Sequence, residues 1–320
     1  MSAVRDRWLG TLIVLAAASL FASLGVLSRI AYDAGVHPFA WVAWRAGIGA
    51  LGLGAVVVAL RGPARLAGDL RRATVPARWW LLLGVLMSAG LNLAIFVAFQ
   101  RTSVALALLG FYTYPARVAA TGVLLGREHL DRARAVALAL ALAGMAAVVL
   151  GGLDAAAGIR IDLLGIGLAL TAALCQTVFM TFSRGYASIP TDVAMTVLLA
   201  GSAVVAGVVT VAVAGGDALV LPLGSAWLLL LFVGVGLFAA ALPSFLFLTG
   251  IRRIGSVRTG ILMLFEPLVG VALAAIFLAE GLAPLQAVGG ATILLAALLV
   301  QRGVSPGRAR TAIAPAPGGP

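Results

Sequence analysis

Apolar runs of about twenty residues recur along the chain, each closed by a short gap holding arginine, aspartate, glycine or proline. The first covers roughly 8–30, and others follow at 38–60, 79–99, 103–126 and 134–152. After a polar break with Asp154, Arg160 and Asp162 come 163–183, 190–214, 226–250, 256–279 and 283–301. A helix rising about 1.5 Å per residue needs about 20 residues to cross ~30 Å of hydrocarbon. The pattern therefore predicts ten transmembrane helices. The opening run is too long for a secretory signal, whose apolar region spans ~7–15 residues, and reads as an uncleaved first helix.

Composition supports the bilayer as the main partner. Of 320 residues, 62% are hydrophobic and 10% charged, with a mean hydropathy of +1.13. Soluble domains hold about 45–50% apolar and roughly 25% charged residues, so no soluble core could hide this much apolar surface. The net charge is +11, and all 22 basic residues are arginine. In a soluble protein that excess would suggest nucleic acid. Here the arginines fall in gaps between apolar runs, so nucleic acid is not expected as a partner.

The charge also orients the chain. With the N-terminus inside, seventeen arginines lie on the cytoplasmic side, from Arg5 and Arg7 through Arg252, Arg253 and Arg258. Only Arg29, Arg101 and Arg160 fall outside. The positive-inside bias puts both termini in the cytoplasm of a multi-pass inner-membrane protein. Trp8, Trp79, Trp80 and Trp227 fall at span ends, where an indole suits the interface.

Chemistry is sparse. The single Cys175 excludes an internal disulfide, and His37 and His129 both lie in predicted loops, so no metal or other cofactor is expected. No phosphate-binding loop for ATP is present. The segment 302–320, rich in arginine, alanine, proline and glycine, reads as a disordered cytoplasmic tail.

A shift of 152 residues superposes the end of the first half on the end of the second. Arg101 falls on Arg253, Pro115 on Pro267 and Glu128 on Glu280. Proline and glutamate thus match in ungapped register. The fold class predicted is an all-α integral membrane protein of two five-helix repeats, 1–152 and 153–301. Five is odd, so the second repeat enters the membrane inverted, an architecture suited to alternating access.

These residues resemble a known family. Tyr114-Pro115 through Leu124-Leu125-Gly126-Arg127-Glu128, with Gly144 beyond, is similar to the drug/metabolite transporter superfamily, in particular its ten-helix EamA-type members. Phe265-Glu266-Pro267, Phe277-Leu278-Ala279-Glu280 and Gly289-Gly290 repeat the likeness, and Pro38 to Arg45 fits as well. Arg117, where an apolar residue is expected, and Leu24-Gly25, in place of tryptophan-glycine, depart from it. The resemblance implies a small-metabolite transporter, an exporter of amino acids or related compounds. Efflux of drugs or other organic solutes is the alternative, and an integral membrane enzyme the alternative of another class. No enzymatic activity is expected.

Charges inside hydrocarbon are costly, about 2.5 kcal/mol upward at a helix centre, and mark candidate sites. Glu266 lies mid-span beside Pro267 and is read as a proton-coupling carboxylate or a counter-ion for a substrate ammonium. Arg117 and Arg45 are the arginines expected to hold the other end of a zwitterion. Pro115 and Pro267 should kink their helices and free carbonyls toward a cavity. Tyr112, Tyr114, Asn92, Ser244, Gln176 and Trp41 complete the expected substrate-binding set, with Asn92 and Ser244 related by the same shift. Glu128 and Glu280 read as helix-end charges, and Gly289 and Gly290 as close-packing positions. With two halves in one chain, a monomer suffices.

Overall fold

The structure is a computed structural model and describes residues 2–127, 130–152, 160–277 and 283–302. Glu128, His129, Asp154, Glu280 and the tail from 303 onward lie outside the described residues. The described chain is helical throughout. It runs α1 (Ser2–Asp33), α2 (Pro38–Arg61), α3 (Pro63–Arg72), α4 (Val75–Arg101), α5 (Val104–Phe111), α6 (Tyr114–Leu124) and α7 (Arg132–Gly151). Then follow α8 (Leu163–Phe182), α9 (Thr191–Ala214), α10 (Asp217–Val220), α11 (Ala226–Gly234), α12 (Leu242–Ile254), α13 (Ser256–Met263), α14 (Phe265–Phe277) and α15 (Pro284–Arg302).

Local chemistry sets many of these ends. Thr74, Asp131 and Asp162 accept hydrogen bonds from the N–H groups of Ala77, Arg134 and Gly165, capping α4, α7 and α8. His37 Nδ1 does the same for Phe39, with Pro38 opening α2. Helices α2 and α9 both end on glycine, Gly62 at φ 83° and Gly215 at φ 81°. Their N–H groups return to Val58 and Val211 respectively. Only glycine adopts that left-handed backbone without strain.

By length and apolarity alone, the described helices do not reach ten spans. Among the described residues, eight helical stretches are long and apolar enough to cross a membrane, and Pro284–Val300 is a shorter apolar helix. The run 103–126 is divided at Tyr112–Thr113 into α5 and α6. Pro115 has no N–H to offer the Phe111 carbonyl one turn back, so the helix breaks there. The second half repeats the break at Leu264, between α13 and α14, three residues before Pro267. The break positions 112 and 264 are 152 residues apart, as are the starts of α5 and α13.

Two further elements depart from the simple run-and-gap pattern. The gap after residue 60 contains the amphipathic helix α3. Between α11 and α12 the helix widens into a π turn at Val235–Ala241, just before Pro243. Such widened turns concentrate where a helix bends or serves a site.

Packing relates equivalent elements of the two halves. Helix α2 lies along α9, and α7 along α15. A Cβ added at Gly47 would meet Ala203, and one at Gly54 would meet Thr196, so α2 and α9 run antiparallel. Gly144 faces Gly289 and Ile293, while Gly151 faces Leu285 and Gln286, so α7 and α15 are antiparallel as well. Helix α4 packs on α8, and in the same way α12 packs on α1. Leucines and isoleucines such as Leu51, Leu124, Leu163 and Ile276 stay largely exposed on the outside, a surface for lipid.

Trp8, Trp79 and Trp227 are exposed as an interfacial belt requires. Trp80 differs: its ring stacks on Phe182 at 5.1 Å and lies over Gly185, where a Cβ would come within 2.3 Å.

Candidate functional site

The two broken spans meet inside the bundle. A Cβ at Gly260 of α13 would sit 3.5 Å from Pro115, in the first turn of α6. At this crossing the rings of Phe111, Tyr112 and Tyr114 cluster, with centroids 5.2 Å to 6.4 Å apart. Tyr112 and Tyr114 are buried. The carboxylate of Glu266, in the first turn of α14, lies within electrostatic reach of both tyrosine hydroxyls.

Glu266 is half-buried. No hydrogen bond or ion pair joins its carboxylate to another described residue. A carboxylate left without a protein partner at mid-span is costly unless a proton, a ligand or water meets it. The first-turn N–H groups of α14 are adjacent and favour negative charge there.

Arg45 forms a second polar centre. It is 9% exposed, and its guanidinium donates to Asn92 Oδ1 across α2 and α4. Asn92 in turn donates to the Ser88 carbonyl at 2.8 Å, and Ser202 Oγ meets Ser88 Oγ at 3.2 Å from α9. Arg45 Nε and the nearby Tyr32 hydroxyl are buried without partners among the described residues. No acid neutralises this arginine within the described residues. An anionic group of a ligand would meet donors already fixed in place.

The remaining expected residues take these positions. Arg117 is half-buried and donates to the Leu170 carbonyl of α8 at 3.1 Å. It forms no ion pair with Glu266. Gln176 is buried on α8, and Ser244 is half-buried just beyond the π turn. Trp41 is fully buried, packed on Phe232 at 5.3 Å and edge-on to Tyr32. Pro115 and Pro267 follow the two helix breaks. Asn92 and Ser244, related by the repeat, differ in partner: Asn92 holds Arg45, and Ser244 holds no described side chain.

Sequence reasoning did not find Tyr32, Ser88 or Ser202, because a lone tyrosine or serine near a span carries no pattern. Nor did it find the π turn, although Gly236 packs so closely that a Cβ would lie 3.2 Å from the Arg45 carbonyl oxygen. Among the described residues no group of three His, Cys, Asp or Glu side chains could hold a metal ion.

Comparison with known proteins supplies the family. The profile of the EamA-like transporter family matches twice, over residues 8–150 and 163–302. One solved crystal structure, whose description says only that it is a protein, superposes with a TM-score of 0.74 at 20% sequence identity. The match covers 92% of this chain and 97% of that one, and speaks to the fold alone. No curated protein matches significantly.

Proposed function

The chain belongs to the EamA-like transporter family, and on that premise we propose that it exports amino acids or related metabolites by alternating access. Membership makes it a multi-pass membrane transporter of small solutes. The finer reading rests on Glu266, a mid-span carboxylate without a described protein partner, set between the two broken spans and beside Tyr112 and Tyr114. That arrangement suits a substrate ammonium or a travelling proton. Arg45, held by Asn92 and lacking a described acid partner, suits the substrate carboxylate. Arg117 is the other arginine proposed to take part.

Alternating access is supported by packing. Equivalent helices α2 and α9 lie antiparallel, as do α7 and α15. Two inverted halves of five spans, 1–152 and 153–301, would give that relation and would let the site open to either side with similar energy. In this reading α5 with α6 counts as one span and α15 as another, making ten. Both termini face the cytoplasm of the inner membrane, and a single chain is the transporting unit.

Phe111, Tyr112 and Tyr114 around one carboxylate also suit a bulky organic cation. The test is counterflow into proteoliposomes with labelled amino acids, sugars and organic cations. Uptake of amino acids above empty liposomes supports the proposal. Uptake confined to organic cations replaces the substrate class, and no uptake of any solute sinks the reading.

A further inference from the structure

One helix contact occurs twice in the chain, and only one copy is closed along its length. Under the shift of 152 residues, the stretch from α11 to α12 is the counterpart of α4, and α1 is the counterpart of α8. Helix α4 packs along the whole of α8. At one end a Cβ on Gly165 would lie 3.1 Å from Arg101 Cβ, and in the middle one on Gly90 would lie 3.4 Å from Cys175 Sγ. At the other end a Cβ on Gly185 would lie 2.3 Å from Trp80. Helix α12 meets α1 as closely near Arg253. A Cβ on Gly10 would lie 2.4 Å from Ile254, and one on Gly250 would lie 2.3 Å from Val14. The rings of Phe21 and Phe247 follow at 6.4 Å. Past the π turn the likeness ends: α11 barely touches α1.

An open cleft of about 340 Å³ lies there instead, lined by Leu27 of α1 and by Leu230, Gly234 and Phe238 of α11 and the π turn. A Cβ on Gly234 would meet nothing within 4 Å. The rings show the same difference. Trp80 stacks on Phe182 at 5.1 Å and covers Gly185. Its counterpart under the shift is Phe232, which packs on α2 instead, 5.3 Å from Trp41 and 5.8 Å from Trp44. The counterparts of Phe182 and Gly185 are Ile30 and Asp33, and both are exposed. The π turn divides the packed part of this span from the parted one, and a widened turn is where a helix changes direction. The lining of the cleft carries no charge. In lipid no hydrophobic force drives two apolar helices together, so the packed and parted arrangements differ little in energy.

We propose that α11, turning on the π turn, is a gate. It swings onto the Leu27–Asp33 end of α1, Phe232 leaves Trp41 and Trp44 to cover Ile30 and Asp33, and the cleft closes as α4 and α8 are closed now. This rests on the inverted halves, the orientation and the alternating access of the reading above. On that reading the cleft lies on the outer side, and the structure is the outward-facing state. The step to the other state closes the cleft and opens the contact of Trp80 with Gly185.

The test is pulsed electron resonance between nitroxide labels on the full-length Cys175→Ala protein in nanodiscs, read beside amino-acid counterflow. Labels at Ile30→Cys and Leu230→Cys report the cleft. Labels at Trp79→Cys and Ser188→Cys report the opposite end, where α4 meets α8. Two distances are expected at each pair. Adding Gly234→Phe puts a ring into the open cleft and props it. Only the longer distance at the cleft and the shorter one at the opposite end then remain, and counterflow is lost. Gly207→Phe, on α9 with equally open space, changes neither readout. A single distance at the cleft without Gly234→Phe, or two that persist with it, overturns the gate. So does counterflow at the wild-type rate in Gly234→Phe. If the wild type itself carries no amino acid, the transport reading fails, and the distances still decide the gate. Should Gly234→Phe not fold, a cleavable thiol crosslink from Leu27→Cys to Phe238→Cys decides in its place. Flux that stops on crosslinking and returns on cleavage supports the gate, and undisturbed flux overturns it.

Discussion

Replacing Gly289 with alanine tests the contact that joins the two halves through α7 and α15. The new Cβ would lie 2.5 Å from the Gly144 carbonyl oxygen, 2.8 Å from the Val148 nitrogen and 2.9 Å from the Ala147 Cβ. Ordinary carbon contacts settle near ~3.5 Å, so the helices must part by about 1 Å. Two of the three neighbours are backbone, which cannot rotate away. Overpacking of this kind costs up to about 3 kcal/mol, offset by about 1 kcal/mol for the better helix propensity of alanine. The net expectation is a loss of about 2 kcal/mol. Two relatives calibrate it. At Gly290 the nearest atom is the flexible end of Leu268, at 2.5 Å, so alanine there is expected near neutral. At Gly207 nothing lies within 4 Å, and alanine should gain up to about 1 kcal/mol. Thermal unfolding of the three variants in detergent, followed by size-exclusion chromatography, measures the ranking. Gly289→Ala melting with or above Gly207→Ala would refute the packing argument.

Three further expectations follow from single contacts. Asn92→Leu strands the buried Arg45 guanidinium and should cost about 1–3 kcal/mol, whereas adding Arg45→Met to it should recover most of that loss in the same melts. Asp162 accepts the Gly165 N–H at 2.7 Å and lies 3.6 Å from Arg101, and these hold its carboxyl below the usual range. A depressed folded value means its contribution is present above the unfolded value of about 4 and fades as pH falls through the folded one. Asp162→Asn should therefore melt below wild type at neutral pH and converge with it in acid; a gap that widens in acid contradicts this. Phe182 stacks on Trp80 at 5.1 Å and carries the Arg127 guanidinium over its ring at 5.3 Å, so Phe182→Leu should cost about 1–2 kcal/mol in chemical or thermal unfolding.

Much of the fold was legible because a bilayer imposes length and apolarity on every span. Pro115 and Pro267 each fall just after a helix break, and the sequence alone did not show that both helices break outright. Break or bend depends on what neighbouring helices supply to the stranded carbonyls. Helix α3 was hidden in a gap because its charges lower its mean hydropathy, although its sequence is amphipathic at helical spacing. The resemblance carried by Glu266-Pro267 and Gly289-Gly290 is borne out by the family profile over both halves. The partners of Arg45 were not legible, since Asn92, Tyr32 and Arg45 come from three helices and meet only through packing.

The most direct test of the central claim is amino-acid counterflow in proteoliposomes carrying wild type or Glu266→Gln at equal density. The amide keeps the shape and removes the charge. Flux is expected to fall by about tenfold or more, equivalent to about 1.4 kcal/mol or more of lost interaction at the central site. Its dependence on pH should fall with it. A folded Glu266→Gln protein that carries amino acids at the wild-type rate would contradict the account.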